Sequence, residues 1–432
     1  MNLLKKRDFS SLIQFAGVFF VRGLGAISTL LLLLVIARRL TKEDAGLFSI
    51  GHAFVTMVAP ISLFGLHIVG LRLISSRKLE KDAEEIRFIA LRLVAIAGTM
   101  SMVLGGVVFG LASIIANTFY GKPTLEVVFR WVGPTIPLVA VAILISHQLQ
   151  GVRKFSRALI VLSVSTPTIA AFVFWLSENV TLTDSLRIYA GSAIATFVLS
   201  FVFWPSVITC RSSSRVEMEG LAGRCSSVWV VNVMIQIVNW SGPLIAGIYV
   251  EASEIFALSA SQRMANLVNF LLIGVNYVVT PRFARYWAEG EHDQMKRLAL
   301  KSTRYMTLLA TPLIIIICLF PTHIIGLFGK SFQSAAPLLI ILSLSQYFNV
   351  MTGSVNGLLN MCGYERDLRN IALISGTFTI LLSIVLTMHF GVIGTASATA
   401  IALVLQNCLA VYRVKKRLGF SMFSAFRLTR SD

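Results

Sequence analysis

The sequence carries little charge for its length. Only 13% of its 432 residues are charged, whereas 56% are hydrophobic, and the mean hydropathy is +0.79. Soluble globular domains have about 25% charged residues, so this chain has too few charged residues to cover a water-facing surface. The shortage of charge excludes an ordinary soluble protein and indicates that lipid surrounds most of the chain.

The sequence also has few residues that carry covalent or metal chemistry. Its five cysteines form no C-x-x-C pair and have no zinc-like spacing to histidine. A phosphate-binding glycine-rich loop, an H-E-x-x-H motif and a G-x-S-x-G motif are all missing from the sequence. We therefore expect no catalytic residue, no metal site and no cofactor. A membrane polymerase or glycosyltransferase is the disfavoured alternative.

Long apolar runs recur along the whole chain. A membrane-crossing helix needs about 20 mostly apolar residues, and a run of that length is too long for an alternating strand of a barrel. The first run follows a basic start and has no cleavage site, which favours a retained helix over a signal peptide. The sequence predicts an all-α polytopic membrane protein with about 12 transmembrane helices. The approximate spans are 9–36, 47–71, 88–116, 131–150, 158–177, 187–208, 227–250, 255–281, 304–328, 335–361, 369–388 and 392–413.

The 38 lysines and arginines are distributed unevenly between the two sides of these spans. The termini and the even-numbered loops hold 28 of them, the odd-numbered loops hold 7, and Arg22, Arg92 and Arg263 lie inside spans. The positive-inside rule then places both termini in the cytoplasm. Because most of these cations orient the protein, we expect no nucleic-acid partner despite a pI of about 10.1.

A weak internal repeat appears when the sequence is shifted by about 210 residues. Residues 36–49 then align with residues 246–259, and each segment joins two long predicted helices. The repeat predicts two pseudo-symmetric six-helix lobes, 1–210 and 211–432. Transporters built from such repeats bind substrate between the halves, near the membrane midplane.

Two arginines are the notable charges inside the predicted spans. All 20 carboxylates lie near span ends or in loops, so the sequence shows no ion site built on a buried carboxylate. Arg22 is close to the middle of the first span, and Arg263 is about 12 Å inside the eighth. A central arginine costs about 2.5–3.5 kcal/mol on insertion scales and usually faces a bundle interior or water. We expect both to face a cavity; the alternative is bonding to carbonyls or snorkelling, which suits Arg92.

Polar side chains also share single faces of several predicted helices. Such stripes favour a water-lined path, with interhelical hydrogen bonding as the alternative, and a further stripe on the tenth helix includes Gln346 and Asn349. Arginines suit phosphate and amides suit sugar hydroxyls. Imidazoles on the second helix could couple to protons, although packing is favoured there, and Pro60 could kink that helix. The predicted cavity residues are Gln14, Arg22, His52, Asn232, Gln236, Asn239, Gln262, Arg263, Asn266, Asn269 and Asn276.

Five strings of residues, spread in order over essentially the whole chain, carry a family resemblance. They are ARRLTKEDAGLFS (37–49), PRFARYW (281–287), LFGKSFQSAAPLLIIL (327–342), LLNMCGYE (358–365) and FGVIGTASATAIA (390–402). Together they resemble the polysaccharide exporters and O-antigen flippases of the MATE/MOP transporter superfamily. The resemblance implies a non-enzymatic flippase of the bacterial inner membrane. It would move an undecaprenyl-diphosphate-linked oligosaccharide by alternating access, for lipopolysaccharide or another surface polysaccharide.

The resemblance also implies roles for individual residues. Related lipid II flippases have cavity arginines on the first and eighth helices, where Arg22 and Arg263 are similarly placed. These two residues would bind the diphosphate and the amides the glycan, while the lipid tail stays in the bilayer. A lipid II flippase is a weaker alternative because two C-terminal helices are missing, and a cation-coupled multidrug antiporter is weaker because buried carboxylates are missing. A polysaccharide polymerase or ligase would be a possible protein partner.

Overall fold

The computed structural model describes the backbone of residues 2–77, 82–204, 207 and 221–426. Side chains are described for the same residues except 2–16, 221, 222, 224, 227, 271 and 277. The described backbone is helical and contains no β-strand. The predicted all-α fold class is therefore confirmed.

The helices fall into two compact units. The first comprises Met1–Gln236 with Glu251–Ser253, and the second comprises Ile237–Val250 with Glu254–Asp432. The predicted lobe boundary at residue 210 falls in the segment 208–220, outside the described residues, and it stays a prediction.

The sixth helix is the centre of the first unit. It packs against α2, α3, α4 and α9, while α1 packs against α8. The backbones of α4 and α6 approach closely because both carry glycine there, and a Cβ atom on Gly105 would lie 2.5 Å from the carbonyl oxygen of Gly133. Small residues permit such close approach between membrane helices. The helices are α1 (Asn2–Arg39), α2 (Lys42–Ser62), α3 (Leu66–Ser75), α4 (Ala83–Gly110), α5 (Ala112–Ile114), α6 (Leu125–Gly151), α7 (Phe155–Leu159), α8 (Ser165–Leu176), α9 (Leu182–Phe203) and the start of α10 (Leu221–Tyr249), with π-helical turns at Ile115–Phe119 and Ile160–Val164.

In the second unit, α14 packs against α12 and α16, and α15 packs against α16. A short 3₁₀ turn, Met422–Phe426, follows the last helix and contacts α12. The helices after α10 are α11 (Ala252–Ala288), α12 (His292–Leu319), α13 (Pro321–Gly326), α14 (Ala336–Thr352), α15 (Val355–Met361) and α16 (Glu365–Leu418), with a further 3₁₀ turn at Lys330–Ala335 before α14.

The number of membrane spans follows from the length of these helices. Ten of the described helices are long and apolar enough to cross a bilayer, and the bent helix α11 adds one more. The 54 residues of α16 would extend about 81 Å at 1.5 Å per residue, far beyond a hydrocarbon core of about 30 Å. Non-helical dihedral angles at Gly391 divide it into two arms, 365–390 and 392–418. The predicted count of about twelve spans is confirmed.

The turn between the two arms of α16 is extremely short. Gly391 has φ +58°, and a Cβ atom on Gly394 would lie 1.9 Å from the carbonyl oxygen of Leu386. Thr387 and Thr395 join the two arms by a hydrogen bond of 2.8 Å between their hydroxyl groups. The two helices therefore reverse direction with a single non-helical residue between them.

The predicted second span, 47–71, is not a continuous helix. It divides into α2 and α3 at Phe64 (φ +47°) and Gly65 (φ +79°), whereas Pro60 was predicted to kink it. Side chains of α10 donate to carbonyl groups beside the break. The Ile61 oxygen accepts from the Phe64 amide at 3.1 Å and also from Trp229 Nε1 at 2.9 Å. Asn232 Nδ2 donates to the Pro60 oxygen at 3.2 Å. A broken helix in a membrane needs such donors.

Replacing Asn232 with leucine is expected to lower the stability of the first unit. The Asn232 side chain is buried, and its loss leaves the Pro60 carbonyl without this donor, at a cost of about 1–3 kcal/mol. The measurement is the thermal unfolding midpoint of the purified protein in detergent. Asn360→Leu makes the same substitution at an exposed position and should have little effect. Equal midpoints for the two variants would contradict the assigned hydrogen bond.

The predicted tenth span, 335–361, is also interrupted. Helix α14 ends at Thr352, Gly353 has φ +69°, and α15 begins at Val355. A Cβ atom at Gly353 would lie 2.0 Å from the Thr303 hydroxyl oxygen of α12, so the interruption brings α14 against α12. Thr352 donates to Asn407 Oδ1 at 3.1 Å and thereby ties the break to α16.

The hairpin segment 37–49 owes its shape to a helix cap and a glycine. Thr41 caps α2 by accepting a hydrogen bond from the Asp44 backbone amide at 3.1 Å. Gly46 and Ala252, which both belong to the first unit, are in backbone contact, because a Cβ atom on Gly46 would lie 1.6 Å from the Ala252 oxygen. Burial lowers the pKa of nearby Lys122, and the charges of Glu251 and Glu43 oppose that shift.

Candidate functional site

Arg22 lies on α1 and is half-buried. The next turns of α1 are fixed against the fifth span: a Cβ atom on Gly25 would lie 2.9 Å from the Ser163 Cβ atom, and Thr168 donates to the Ser28 hydroxyl at 2.8 Å. Ser163 belongs to the π-helical turn Ile160–Val164, a local irregularity that often marks functional positions in helices. The backbone that carries Arg22 is thus rigidly anchored.

Arg263 lies on α11 of the second unit and is also half-buried. Its guanidinium carbon is 4.7 Å from the centre of the Trp240 ring. A cation–π contact of this kind orients the guanidinium plane. The edges of the guanidinium still carry N–H donors, which match the oxygens of a phosphate group.

Trp240 was not among the predicted cavity residues. The turn between α10 and α11 lies near Glu251, and in an antiparallel helix pair residues at equal distances from the turn face each other. Trp240 and Gln262 are each eleven positions from Glu251, which could have indicated that Trp240 lies beside Arg263.

The amides predicted on α11 have partners on α14. Gln346 Nε2 donates to Asn266 Oδ1 at 2.9 Å, and Asn349 Nδ2 donates to Asn269 Oδ1 at 3.1 Å. Further along, the Ser354 hydroxyl donates to Asn276 Oδ1. The two polar stripes thus bind each other inside the second unit. This is the interhelical bonding that was the alternative to a water-lined path. The Asn266 side chain is nevertheless exposed.

The remaining amides of the predicted site differ in their surroundings. Gln262 Nε2 donates to the Asn239 carbonyl oxygen at 3.0 Å and joins α11 to α10. Gln236 is half-buried and Asn239 is exposed on α10. Asn232 donates to the Pro60 carbonyl oxygen beside the break between α2 and α3. The side chain of Gln14 lies outside the described residues.

The histidines pack among aromatic rings. His52 lies 6.2 Å from Phe48 and 5.4 Å from Tyr189, measured between ring centres. His67 is buried, and its ring centre is 4.9 Å from that of His147. His147 Nδ1 lies 2.8 Å from the Ile143 carbonyl oxygen. These contacts support the packing interpretation that the sequence favoured.

The candidate charged groups of the site are arginines, because the described part of the chain shows no cluster of metal ligands. That part contains no group of three or more His, Cys, Asp or Glu side chains placed to hold a metal ion. Each unit instead contains a half-buried arginine inside a predicted membrane span and away from its ends, Arg22 in the first unit and Arg263 in the second. Groups of this kind bind anions by charge-assisted hydrogen bonds.

Comparison with known proteins identifies relatives of this chain. The family model described as polysaccharide biosynthesis protein matches residues 35–337. The probable low-salt glycan biosynthesis flippase Agl15 of Haloferax volcanii is 26% identical over 175 residues, which are 40% of this chain and 36% of that protein. The chain spans about a third of the length of the curated relatives it matches.

Solved structures show the fold. The lipid II flippase MurJ, in an inward closed conformation, aligns with a TM-score of 0.73 and 16% identity over 94% of this chain and 87% of that one. An inward-facing multidrug resistance MATE family transporter of the MOP superfamily aligns with a TM-score of 0.74 and 12% identity over 91% and 94%. Both findings agree with the resemblance read from the sequence. Since the family model covers most of its length, the chain belongs to the polysaccharide biosynthesis protein family and has the fold of the MOP-superfamily transporters.

Proposed function

We propose that this protein is a flippase that carries a lipid-linked oligosaccharide across a membrane, with the diphosphate of the lipid carrier bound by Arg22 and Arg263. The observation that carries the proposal is the pair of half-buried arginines inside membrane spans, one of them oriented by Trp240. An arginine at that depth is costly, and an anionic substrate group offsets the cost. The flippase names of relatives such as Agl15 support the same substrate class.

The glycan is assigned to polar amides on α10 and α11. Gln236, Asn239 and Asn266, whose side chains are at least partly exposed, are the candidate partners for sugar hydroxyls. Asn266 also bonds to Gln346 of α14, Asn269 bonds to Asn349 of α14, and Asn276 bonds to Ser354 before α15. The undecaprenyl chain of the carrier stays in the bilayer. Transport proceeds by alternating access. The transported oligosaccharide is used for lipopolysaccharide or another surface polysaccharide.

The setting of the protein is proposed from the charge distribution. Both termini are assigned to the cytoplasm because 28 of the 38 cations lie on that side of the predicted spans. The membrane is assigned as a bacterial inner membrane from the family resemblance of the sequence. A polysaccharide polymerase or ligase is the protein partner that would consume the flipped substrate. The transport role requires no cofactor and no catalytic residue.

A reconstitution experiment tests the proposal. The purified chain is placed in proteoliposomes with a fluorescent undecaprenyl-diphosphate disaccharide, and the fraction protected from an impermeant quencher is followed over time. We expect the protected and accessible pools to exchange at least about tenfold faster than in protein-free liposomes. A monophosphate-linked disaccharide is the matched control and should exchange more slowly, since it offers fewer oxygens to the arginines.

Two results would contradict the proposal. Equal exchange with and without protein would exclude flippase activity for this substrate. Uptake of a cationic dye driven by a proton or sodium gradient, without glycolipid exchange, would indicate the drug-antiporter alternative. In cells, a deletion strain should accumulate lipid-linked repeat units in the inner leaflet, whereas unlinked sugars or short polymer would favour an enzyme.

A further inference from the structure

A cationic groove lies at the start of α12, on the outside of the second unit. The groove has a volume of about 930 Å³. It is formed by the end of α11, the first turns of α12 and the 3₁₀ turn Met422–Phe426. We call it the α12 groove; its lining residues are Tyr286, Gln294, Arg297, Leu298, Leu300, Lys301, Arg304, Tyr305, Leu308, Ser424 and Ala425.

The charge of the α12 groove has one sign. Arg297, Lys301 and Arg304 line it, and none of the described lining residues is a carboxylate. The three cations are exposed and lie at helix positions i, i+4 and i+7, so they share one face over about 10 Å of α12. Among the described residues, none of the three forms an ion pair.

Several other cations at the same end of this unit are paired. Arg285 of α11 pairs with Glu289 at 3.6 Å. Arg413 and Arg417 of α16 both pair with Asp367, at 3.4 and 2.8 Å. In the groove, by contrast, three positive charges on one helix face are left for an external anion.

An apolar surface continues directly from the charged end of the groove. Tyr305 and Leu308 line the groove and are 56% and 60% exposed. The exposed face of α12 then runs on through Leu309, Ile316 and Leu319. In a membrane protein such a face contacts acyl chains. A soluble anion would fill the charged end alone, whereas a lipid would fill both parts.

We propose that the α12 groove binds an anionic phospholipid of the surrounding membrane. The phosphates lie against Arg297, Lys301 and Arg304, and the acyl chains lie along α12. Because the three cations extend over about 10 Å, a headgroup with two phosphates fits better than one with a single phosphate. Basic pockets beside membrane helices bind such headgroups in general. Since Ser424 and Ala425 form one wall, the bound lipid also anchors the segment after α16.

Native mass spectrometry of the full chain, purified in detergent, tests this site. The probes are diphosphatidylglycerol, phosphatidylglycerol, phosphatidylcholine and inorganic diphosphate. We expect the tightest binding for diphosphatidylglycerol and none for phosphatidylcholine. The triple variant Arg297→Ala, Lys301→Ala and Arg304→Ala should bind diphosphatidylglycerol about a hundredfold more weakly, since each cation near an anionic headgroup contributes about a fivefold effect.

A second triple variant is the matched control. Lys296→Ala, Lys415→Ala and Lys416→Ala removes the same charge from exposed positions outside the groove lining and should keep binding within about threefold of the unchanged protein. If the first triple variant does not fold, two further measurements replace it. The double variant Arg297→Lys and Arg304→Lys keeps the charge, and adding salt to the unchanged protein should weaken lipid binding.

Three results would overturn the proposal. Equal loss of binding in both triple variants would show that lipid binding depends on net charge and not on the groove. Binding of inorganic diphosphate as tight as that of the lipid would make the groove a site for a soluble anion. Displacement of bound phospholipid by lower concentrations of a lipid-linked oligosaccharide would make it a substrate site. None of these measurements depends on transport, so the proposed flippase activity stands or falls separately.

Discussion

Replacing Gly46 with valine is expected to prevent the first unit from folding. A Cβ atom at this position would lie 1.6 Å from the carbonyl oxygen and 2.2 Å from the carbonyl carbon of Ala252. Overpacked side chains usually cost about 1–3 kcal/mol because neighbouring rotamers adjust. Here the obstacle is backbone at the start of a helix, so the cost should exceed that range. Gly46→Ala should already be severely destabilised.

The measurement is the yield of monodisperse protein after detergent extraction, together with its unfolding midpoint. Gly98→Val on α4 is the matched control, because a Cβ atom there meets nothing within 4 Å. We expect near-normal yield for the Gly98 variant and aggregated or degraded protein for the Gly46 variant. A Gly46→Val protein that unfolds at the same temperature as the Gly98 variant would show that the contact with Ala252 does not form.

Removing both arginines is expected to abolish transport without unfolding the protein. Hydrogen bonds to charged groups contribute about 1.5–3 kcal/mol each, so Arg22→Ala or Arg263→Ala alone should slow flipping by about 10- to 100-fold. The double variant should then be slower by about three orders of magnitude. Flipping of the fluorescent diphosphate-linked disaccharide is the measurement. Arg92→Ala, which removes an exposed arginine of α4, is the control and should transport normally.

A variant at Trp240 tests whether the orientation of the Arg263 guanidinium matters for transport, and not only its charge. Trp240→Leu keeps the charge of Arg263 but removes the ring 4.7 Å from its guanidinium carbon. If that ring orients the guanidinium, flipping should fall several-fold, in keeping with about 0.5–2 kcal/mol for a cation–π contact. Full transport by the Arg22→Ala, Arg263→Ala double variant would show that other groups bind the diphosphate.

Much of the fold could be predicted from the sequence because lipid imposes a simple rule. Each span must be apolar for about 20 residues, so the twelve spans were visible from composition alone. The breaks were less visible. Pro60 indicated a kink, but the chain departs from the helix at Phe64 and Gly65, where Trp229 and Asn232 supply donors. Those donors are some 170 positions away in the sequence, and no local pattern reveals them.

In the candidate site, too, the sequence predicts positions along a helix but not the contacts between helices. The depths of Arg22 and Arg263 follow from counting residues along a span, and periodicity grouped the amides by helix face. Periodicity does not say what a face meets. Asn266 and Asn269 lie opposite Gln346 and Asn349, and two polar stripes that pair with each other look the same in sequence as two stripes that line water. Only the pairing of α11 with α14 distinguishes the two.

The turn at Gly391 has a practical consequence for labelling this protein. With one non-helical residue between the arms of α16 and the Leu386 carbonyl already against Gly394, an epitope or a protease site has no loop to occupy there. An insertion would have to unwind helix from both arms and break the Thr387 to Thr395 hydrogen bond. The turn between α11 and α12 differs, because Gly290 has φ +74° and open space around it. Tags and fluorophores that report on the second unit therefore belong near Gly290.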